Sequence, residues 1–70
     1  MERQRVASGT LRAVGYDATT ATMEVEFCDG RLFRYFDVPE FLYRGLMLAD
    51  SKGAFFNTRF HGRYRFDRIG

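Results

Sequence analysis

The stretch Thr22 to Phe27 alternates strictly. Met23, Val25 and Phe27 fall on one face, and Thr22, Glu24 and Glu26 on the other. That period of two marks a half-buried strand. Asp29-Gly30 follows directly and marks a hairpin. Its register can be derived. A two-residue turn would set Val25 opposite Arg34 and Glu24 opposite Tyr35, whereas a three-residue loop of Cys28 to Gly30, with Gly30 left-handed, sets Val25 opposite Phe33 and Met23 opposite Tyr35. The longer loop also places Glu24 opposite Arg34, an attractive cross-strand pair. It keeps the faces consistent and is preferred. Phe33 and Tyr35 then face the core, and Leu32, Arg34 and Phe36 share the outer face. Two apolar side chains on that outer face call for a covering partner.

Seventy residues hold one domain and bury only about 60% of the unfolded surface, so the fold is marginal without help. Cys28 is the sole cysteine, which excludes an internal disulfide and suits a reducing, cytoplasmic setting. One Cys and one His cannot assemble a four-ligand zinc site, so no metal or other cofactor is expected. What remains is a dense core from eight Phe and four Tyr, or self-association as a homo-oligomer. Net charge is +2, and ten of the eleven basic residues are Arg, which suits bidentate contact with phosphate or carboxylate. No apolar run approaches the roughly 20 residues of a membrane span, and the charged start Met1-Glu2-Arg3-Gln4-Arg5 is not a secretion signal.

Residues 1–8 read as a flexible, charged lead-in, and residues 9–70 as the single domain. Thr10 to Tyr16 suits a strand despite poor alternation. Asp37 can cap a helix from Pro39 to Ala49, with Glu40 three residues on and Pro39 tolerated in the first turn. Val38, Phe41, Leu42, Gly45, Leu46 and Ala49 form its apolar stripe. Gly45 offers close backbone approach. Ser51 caps a short second helix over about 52–59, and Gly62 ends it. Arg63 to Ile69 reads as a last edge strand, with charges on its outer face. The order is β-β-β-α-α-β: an α+β domain with an antiparallel sheet of three to four strands and both helices on one face.

No nucleophile lies near a base in the chain. Cys28 beside the hairpin turn and His61 form at most a remote dyad. Glu24 and Glu26 read as a solvated strand face. The sequence therefore favours binding over catalysis. Ser51-Lys52-Gly53 is the candidate anion site. Free N–H groups at the helix start point outwards, Gly53 admits a ligand to the backbone, and Lys52 adds a charge. Asn57 can donate to a base or phosphate. Arg59, His61, Arg63, Arg65 and Arg68 interleave with Phe60, Tyr64 and Phe66, a pattern suited to stacked bases and phosphates.

Phe33-Arg34-Tyr35, Val38-Pro39, Tyr43, Ala49, Ser51-Lys52-Gly53, Phe55-Phe56-Asn57 and Phe60-His61-Gly62-Arg63-Tyr64 together resemble the KTSC domain. This short module is named for the C-terminus of some lysyl-tRNA synthetases, and it also stands alone in small bacterial and phage proteins. The likeness runs from about Ser8 to Ile69. A family Tyr-x-Tyr is Phe33-Arg34-Tyr35 here, an Ile-Arg pair is Phe60-His61, and a Pro after the last Tyr is Arg65. The resemblance implies RNA binding only as a suggestion, since the family has no settled activity.

The expectation is a non-enzymatic binding module for RNA or a phosphate-bearing nucleotide, located in the cytoplasm, or in the host cytoplasm for a phage-encoded copy. Ser51, Lys52, Gly53, Asn57, Arg59, His61 and Arg63 would hold the ligand, with Tyr35 or Tyr64 as a stacking face. A standalone phage-type copy would sequester a small nucleotide, at an oligomer interface. The competing expectation is a homo-oligomeric interaction module with no nucleic-acid ligand.

Overall fold

The computed structural model describes residues 1–70. Strands β1 (Gln4–Arg5), β2 (Leu11–Asp17), β3 (Thr22–Phe27) and β4 (Leu32–Tyr35) come first. Helices α1 (Glu40–Leu48) and α2 (Lys52–Arg59) follow, and β5 (Phe66–Arg68) closes the sheet. The five strands lie in sequence order, each antiparallel to the next. The α+β class is as the sequence implies. The sheet is one strand wider, because part of the charged lead-in pairs with β2.

The hairpin register is the one derived from facing residues. Met23 lies opposite Tyr35, Glu24 opposite Arg34 and Val25 opposite Phe33. Gly30 adopts φ +96°, and the Phe27 amide donates to the Arg31 carbonyl to close the loop. Strand β2 alternates poorly because it carries an irregularity between Leu11 and Ala13, which shifts its register against β3. Such a bulge re-aims side chains, and Leu11, Ala13 and Val14 are all buried.

Residues 1–8 are not a loose arm. Gln4 pairs with Val14 and Arg5 with Ala13. Gly15 explains the approach: a Cβ there would sit 2.7 Å from the Glu2 carbonyl oxygen. Arg3 fixes the segment by donating to Glu24 Oε1 at 2.8 Å. Glu24 is therefore not on a solvated face. It is 5% exposed, and Arg34 grips its other oxygen through Nε at 3.1 Å and Nη2 at 2.8 Å. Burial pushes the Glu24 carboxyl up, but the hydrogen bonds from Arg34 and Arg3 outweigh it and hold the net value below the usual range.

Leu32 of β4 and Phe36 just after it, the apolar residues of the outer face, are half-buried within the chain. Gly70 packs closely on the Leu32 side chain, and the Arg65 guanidinium lies 4.9 Å from the Phe36 ring centroid. On the other face, Val14, Met23, Val25, Phe27 and Tyr35 meet Val38, Leu42, Leu46, Phe56 and Phe60 from the helical side. Phe60 is fully buried, and a ring so placed contributes up to about 3 kcal/mol by leaving water.

Helix α1 departs from expectation at two points. Asp37 does not cap it. Asp37 sits at φ +56°, the flanking residue Pro39 makes no side-chain cap bond, and the Val38 amide is drawn instead to the Ala21 carbonyl at 2.9 Å. Phe41 leaves the stripe and is 72% exposed. The helix is rolled towards Tyr43, whose ring stacks on Tyr16 at 4.9 Å, and this turns Phe41 and the 84%-exposed Leu48 outwards. Gly45 does serve close approach, since a Cβ there would lie 2.9 Å from the Phe55 ring. Helix α2 is capped as expected, with Ser51 Oγ accepting from the Ala54 amide at 3.4 Å. The last strand is shorter than read. Arg63 belongs to the turn, because its amide bonds back to the Phe60 carbonyl at 3.0 Å, and Arg65 leads into the strand with its carbonyl accepting from the Phe36 amide.

Candidate functional site

Helix α2 presents two adjacent lines of residues. Phe56 and Phe60, four apart, turn into the core and stack with ring centroids 5.3 Å apart. Gly53, Asn57 and His61 recur at the same spacing, one residue round, along the edge of the helix. Two clefts open along that edge. A polar one of about 430 Å³ is lined by Ser8, Thr10, Asp50, Ser51, Lys52, Gly53 and Asn57, among others. An aromatic one of about 510 Å³ is lined by Phe27, Phe33, Tyr35, Phe56, Phe60 and Phe66, with Thr10, Arg31, Asn57 and His61 among its polar groups. Thr10 and Asn57 line both. The clefts therefore meet at these two side chains.

In the polar cleft the first turn of α2 keeps orphan donors. Ser51 Oγ takes the Ala54 amide and the Ser51 carbonyl takes that of Phe55. The Lys52 and Gly53 amides have no partner in the chain. Lys52 has a structural task as well: its Nζ donates to the Ala49 carbonyl at 2.9 Å, placing a cation at the end of α1, whose last turn has no basic residue of its own. An ammonium has three donors, so two remain for the cleft it lines. Gly53 does not stand open to a ligand at its Cα. A Cβ there would meet Thr10 Oγ1 at 2.8 Å, so the glycine seats α2 against the Thr10 side chain. Asp50 brings a carboxylate to the same cleft, which opposes an anion there.

In the aromatic cleft the rings pack mainly edge to face. Phe27 meets Phe56 at 5.4 Å and 81°, and Phe33 meets Phe66 at 5.6 Å and 77°. Arg31 lies over two of them, with its guanidinium 5.3 Å from the Phe27 centroid and 5.8 Å from that of Phe33. Asp29 anchors it at 2.6 Å. Backbone hydrogen bonding by the Arg31 amide leads the effects that hold the Asp29 carboxyl below the usual range. Burial raises the Tyr35 phenol above its ordinary value, while the Arg31 charge opposes this.

The residues expected at the site thus divide. Ser51, Lys52, Gly53 and Asn57 come together, and Tyr35, Asn57 and His61 come together next to them. Arg59, Arg63 and Tyr64 line neither cleft. Arg59 covers the Phe55 ring at 5.2 Å, Arg63 Nε donates to the Thr58 carbonyl at 3.2 Å, and Tyr64 packs on Phe60 at 5.5 Å. Nor is Tyr35 a stacking face. Its ring is hemmed in by Phe56, Phe60 and Phe66 at 5.4, 6.1 and 5.5 Å. Cys28 Sγ has the Ser8 carbonyl as its partner at 3.7 Å, and His61 is exposed with no hydrogen bond to Cys28. Thr10 and Arg31 were not singled out from sequence. For Arg31 the signal is present: the hairpin register puts it opposite Phe27, on the ring-lined face.

The comparisons agree on one family. The KTSC domain model matches residues 7–64. An uncharacterised protein of Stutzerimonas stutzeri is 43% identical over 70 residues, covering 99% of each chain. A lysine–tRNA ligase of Nostoc punctiforme is 32% identical over 59 residues; the match takes in 84% of this chain and 10% of that enzyme's length. The crystal structure of a KTSC domain protein from Yersinia pestis superposes with a TM-score of 0.93 at 34% identity, covering 99% of this chain and 97% of that one. The chain belongs to the KTSC domain family.

Proposed function

We infer that the protein is a binding module, without catalysis, for RNA or a phosphate-bearing nucleotide. The observation that carries this is the meeting of a ring-lined cleft and a polar cleft at Thr10 and Asn57. A nucleotide has the same two parts side by side: a flat base and a charged phosphate. The rings and the Arg31 plane suit the base, since unpaired bases stack on aromatic and guanidinium faces. The unpartnered Lys52 and Gly53 amides and the Lys52 ammonium suit the phosphate. The lysine–tRNA ligases that carry a matching segment in a tenth of their length are named for an RNA substrate, which supports an RNA ligand here.

Titration of a labelled single-stranded RNA by fluorescence anisotropy tests this. With Lys52 as the phosphate-neutralising cation, log K falls against log salt with a slope of about −0.7. Lys52→Gln keeps a donor for the Ala49 carbonyl and flattens the slope by about 0.7. No binding at low salt, or a slope that Lys52→Gln leaves unchanged, refutes the assignment.

A second reading rests on α1. Phe41 and Leu48 are exposed two turns apart on one face, with Arg44 between them held to Glu40 at 2.6 Å. Two copies crossing antiparallel at Arg44 would set each Phe41 against the other chain's Leu48, a self-complementary contact. Light scattering decides it. A dimer that Phe41→Ser with Leu48→Ser dissociates supports the reading, and a wild-type monomer at high concentration removes it.

A further inference from the structure

Tyr35 is 6% exposed, yet its hydroxyl has no hydrogen-bond partner in the chain. Buried tyrosines ordinarily find one. Even the half-buried Tyr16 has one, donating to the Val38 carbonyl. No side-chain polar atom of the protein is both sealed from solvent and unpartnered, so the Tyr35 hydroxyl is not sealed. It opens on the aromatic cleft that the residue lines. Packing does not require the oxygen. Phe33, two residues away on the same face of β4, fills its place with a bare ring.

The surroundings restrict what the hydroxyl can meet. Phe56, Phe60 and Phe66 enclose its ring, so the residue meets the cleft it lines by its hydroxyl edge rather than by a ring face. The Arg31 guanidinium lies over Phe27 and Phe33 on one side, and Asn57 and His61 line the same cleft from α2 and the turn after it. The guest that matches is flat and apolar on its faces, with a hydrogen-bonding edge. A nucleobase has that form. In a duplex its faces are stacked and its pairing edge is occupied, so it cannot enter a ring-lined slot without leaving the helix.

We propose that the aromatic cleft receives one unpaired nucleobase, whose polar edge is hydrogen-bonded by the Tyr35 hydroxyl. The ligand class is then single-stranded RNA or a free mononucleotide, and duplex RNA is excluded. This rests on the nucleotide reading above and adds its selectivity. Because the hydroxyl has no partner within the protein, Tyr35→Phe removes a ligand contact and nothing else.

The test measures wild type and Tyr35→Phe side by side, by thermal melting and by anisotropy. The probes are a labelled single-stranded RNA of about eight nucleotides, its blunt duplex, and AMP and UMP as competitors. The expected result is an unchanged or higher melting temperature for Tyr35→Phe, with single-strand affinity reduced about five- to tenfold. Wild type binds the duplex at least about tenfold more weakly than the single strand. Competition by AMP or UMP identifies a free nucleotide as a sufficient ligand, and its absence assigns the site to RNA; either accompanies a supported proposal. If Tyr35→Phe binds as tightly as wild type, or the duplex binds as tightly as the single strand, the Tyr35 proposal fails while nucleotide binding stands. If no probe binds wild type at low salt, the nucleotide reading fails and takes the proposal with it.

Discussion

Glu24→Gln isolates the contact that ties the N-terminal strand to the rest of the sheet. The Glu24 carboxylate is almost entirely buried, while Arg3 and Arg34 are partly exposed. It accepts three hydrogen bonds from the two guanidiniums. Bonds to charged groups are worth about 1.5–3 kcal/mol each, and the cost of burying the carboxylate offsets much of their sum. Glutamine keeps the shape and one acceptor, and both arginines can turn to water. The expected net loss is therefore about 2 kcal/mol, below the roughly 3–5 kcal/mol found when a fully buried pair is broken. For a domain this small that lowers Tm by about 10 °C. The pH dependence supplies an internal check. The folded-state pKa of Glu24 lies below its ordinary value, so its contribution is complete above the unfolded pKa and disappears as pH falls through the folded one. Circular-dichroism melts of wild type and Glu24→Gln should therefore differ fully at neutral pH, start to converge as pH falls below about 4, and meet only once pH is below the lowered folded-state pKa. Equal Tm values at neutral pH, or a gap that persists in acid, refute the reasoning.

Two further substitutions probe the close approaches that position the site. Gly53→Ala forces a Cβ towards Thr10 Oγ1, so it should cost about 1 kcal/mol more in wild type than in a Thr10→Ala background, measured by urea unfolding as a double-mutant cycle. Gly15→Ala meets the Glu2 backbone, which cannot swing aside as a side chain can. It should release β1, speed tryptic cleavage at Arg3 and Arg5, and leave the hairpin of β3 and β4 protected from amide exchange.

What could be read from the sequence was the part governed by neighbours in the chain. The hairpin register followed from face consistency and the Glu24–Arg34 pairing, and the Ser51 cap from residue type alone. The remainder depended on contacts distant in sequence. Gln4 and Arg5 show no strand pattern, and they pair because Gly15 leaves room for Glu2 and because Glu24 attracts Arg3. Asp37 has the right spacing for a cap, but the Val38–Ala21 hydrogen bond commits the backbone elsewhere. Phe41 belongs to the stripe by helical spacing, until the stacking of Tyr43 on Tyr16 rolls the helix. At the site, Ser51, Lys52, Gly53 and Asn57 lie within two turns of one helix and could be grouped on sight. The sequence places Tyr35 with Asn57 and His61 as a stacking face; that Phe56, Phe60 and Phe66 enclose its ring instead needed the packing of β4 against α2. The arginines of the tail looked like a cationic strand face, yet Arg59, Arg63 and Arg65 are occupied with Phe55, the Thr58 carbonyl and Phe36.

The most direct measurement is an amide and side-chain chemical-shift map of the isotope-labelled protein, titrated with the short single-stranded RNA and with AMP. A nucleotide held across the joined clefts should move the Lys52 and Gly53 amides, the Asn57 side-chain amide and the Thr10 and Arg31 resonances together, on one binding curve. Shifts confined to Phe41, Arg44 and Leu48 on the outer face of α1, or none at all, would contradict the account.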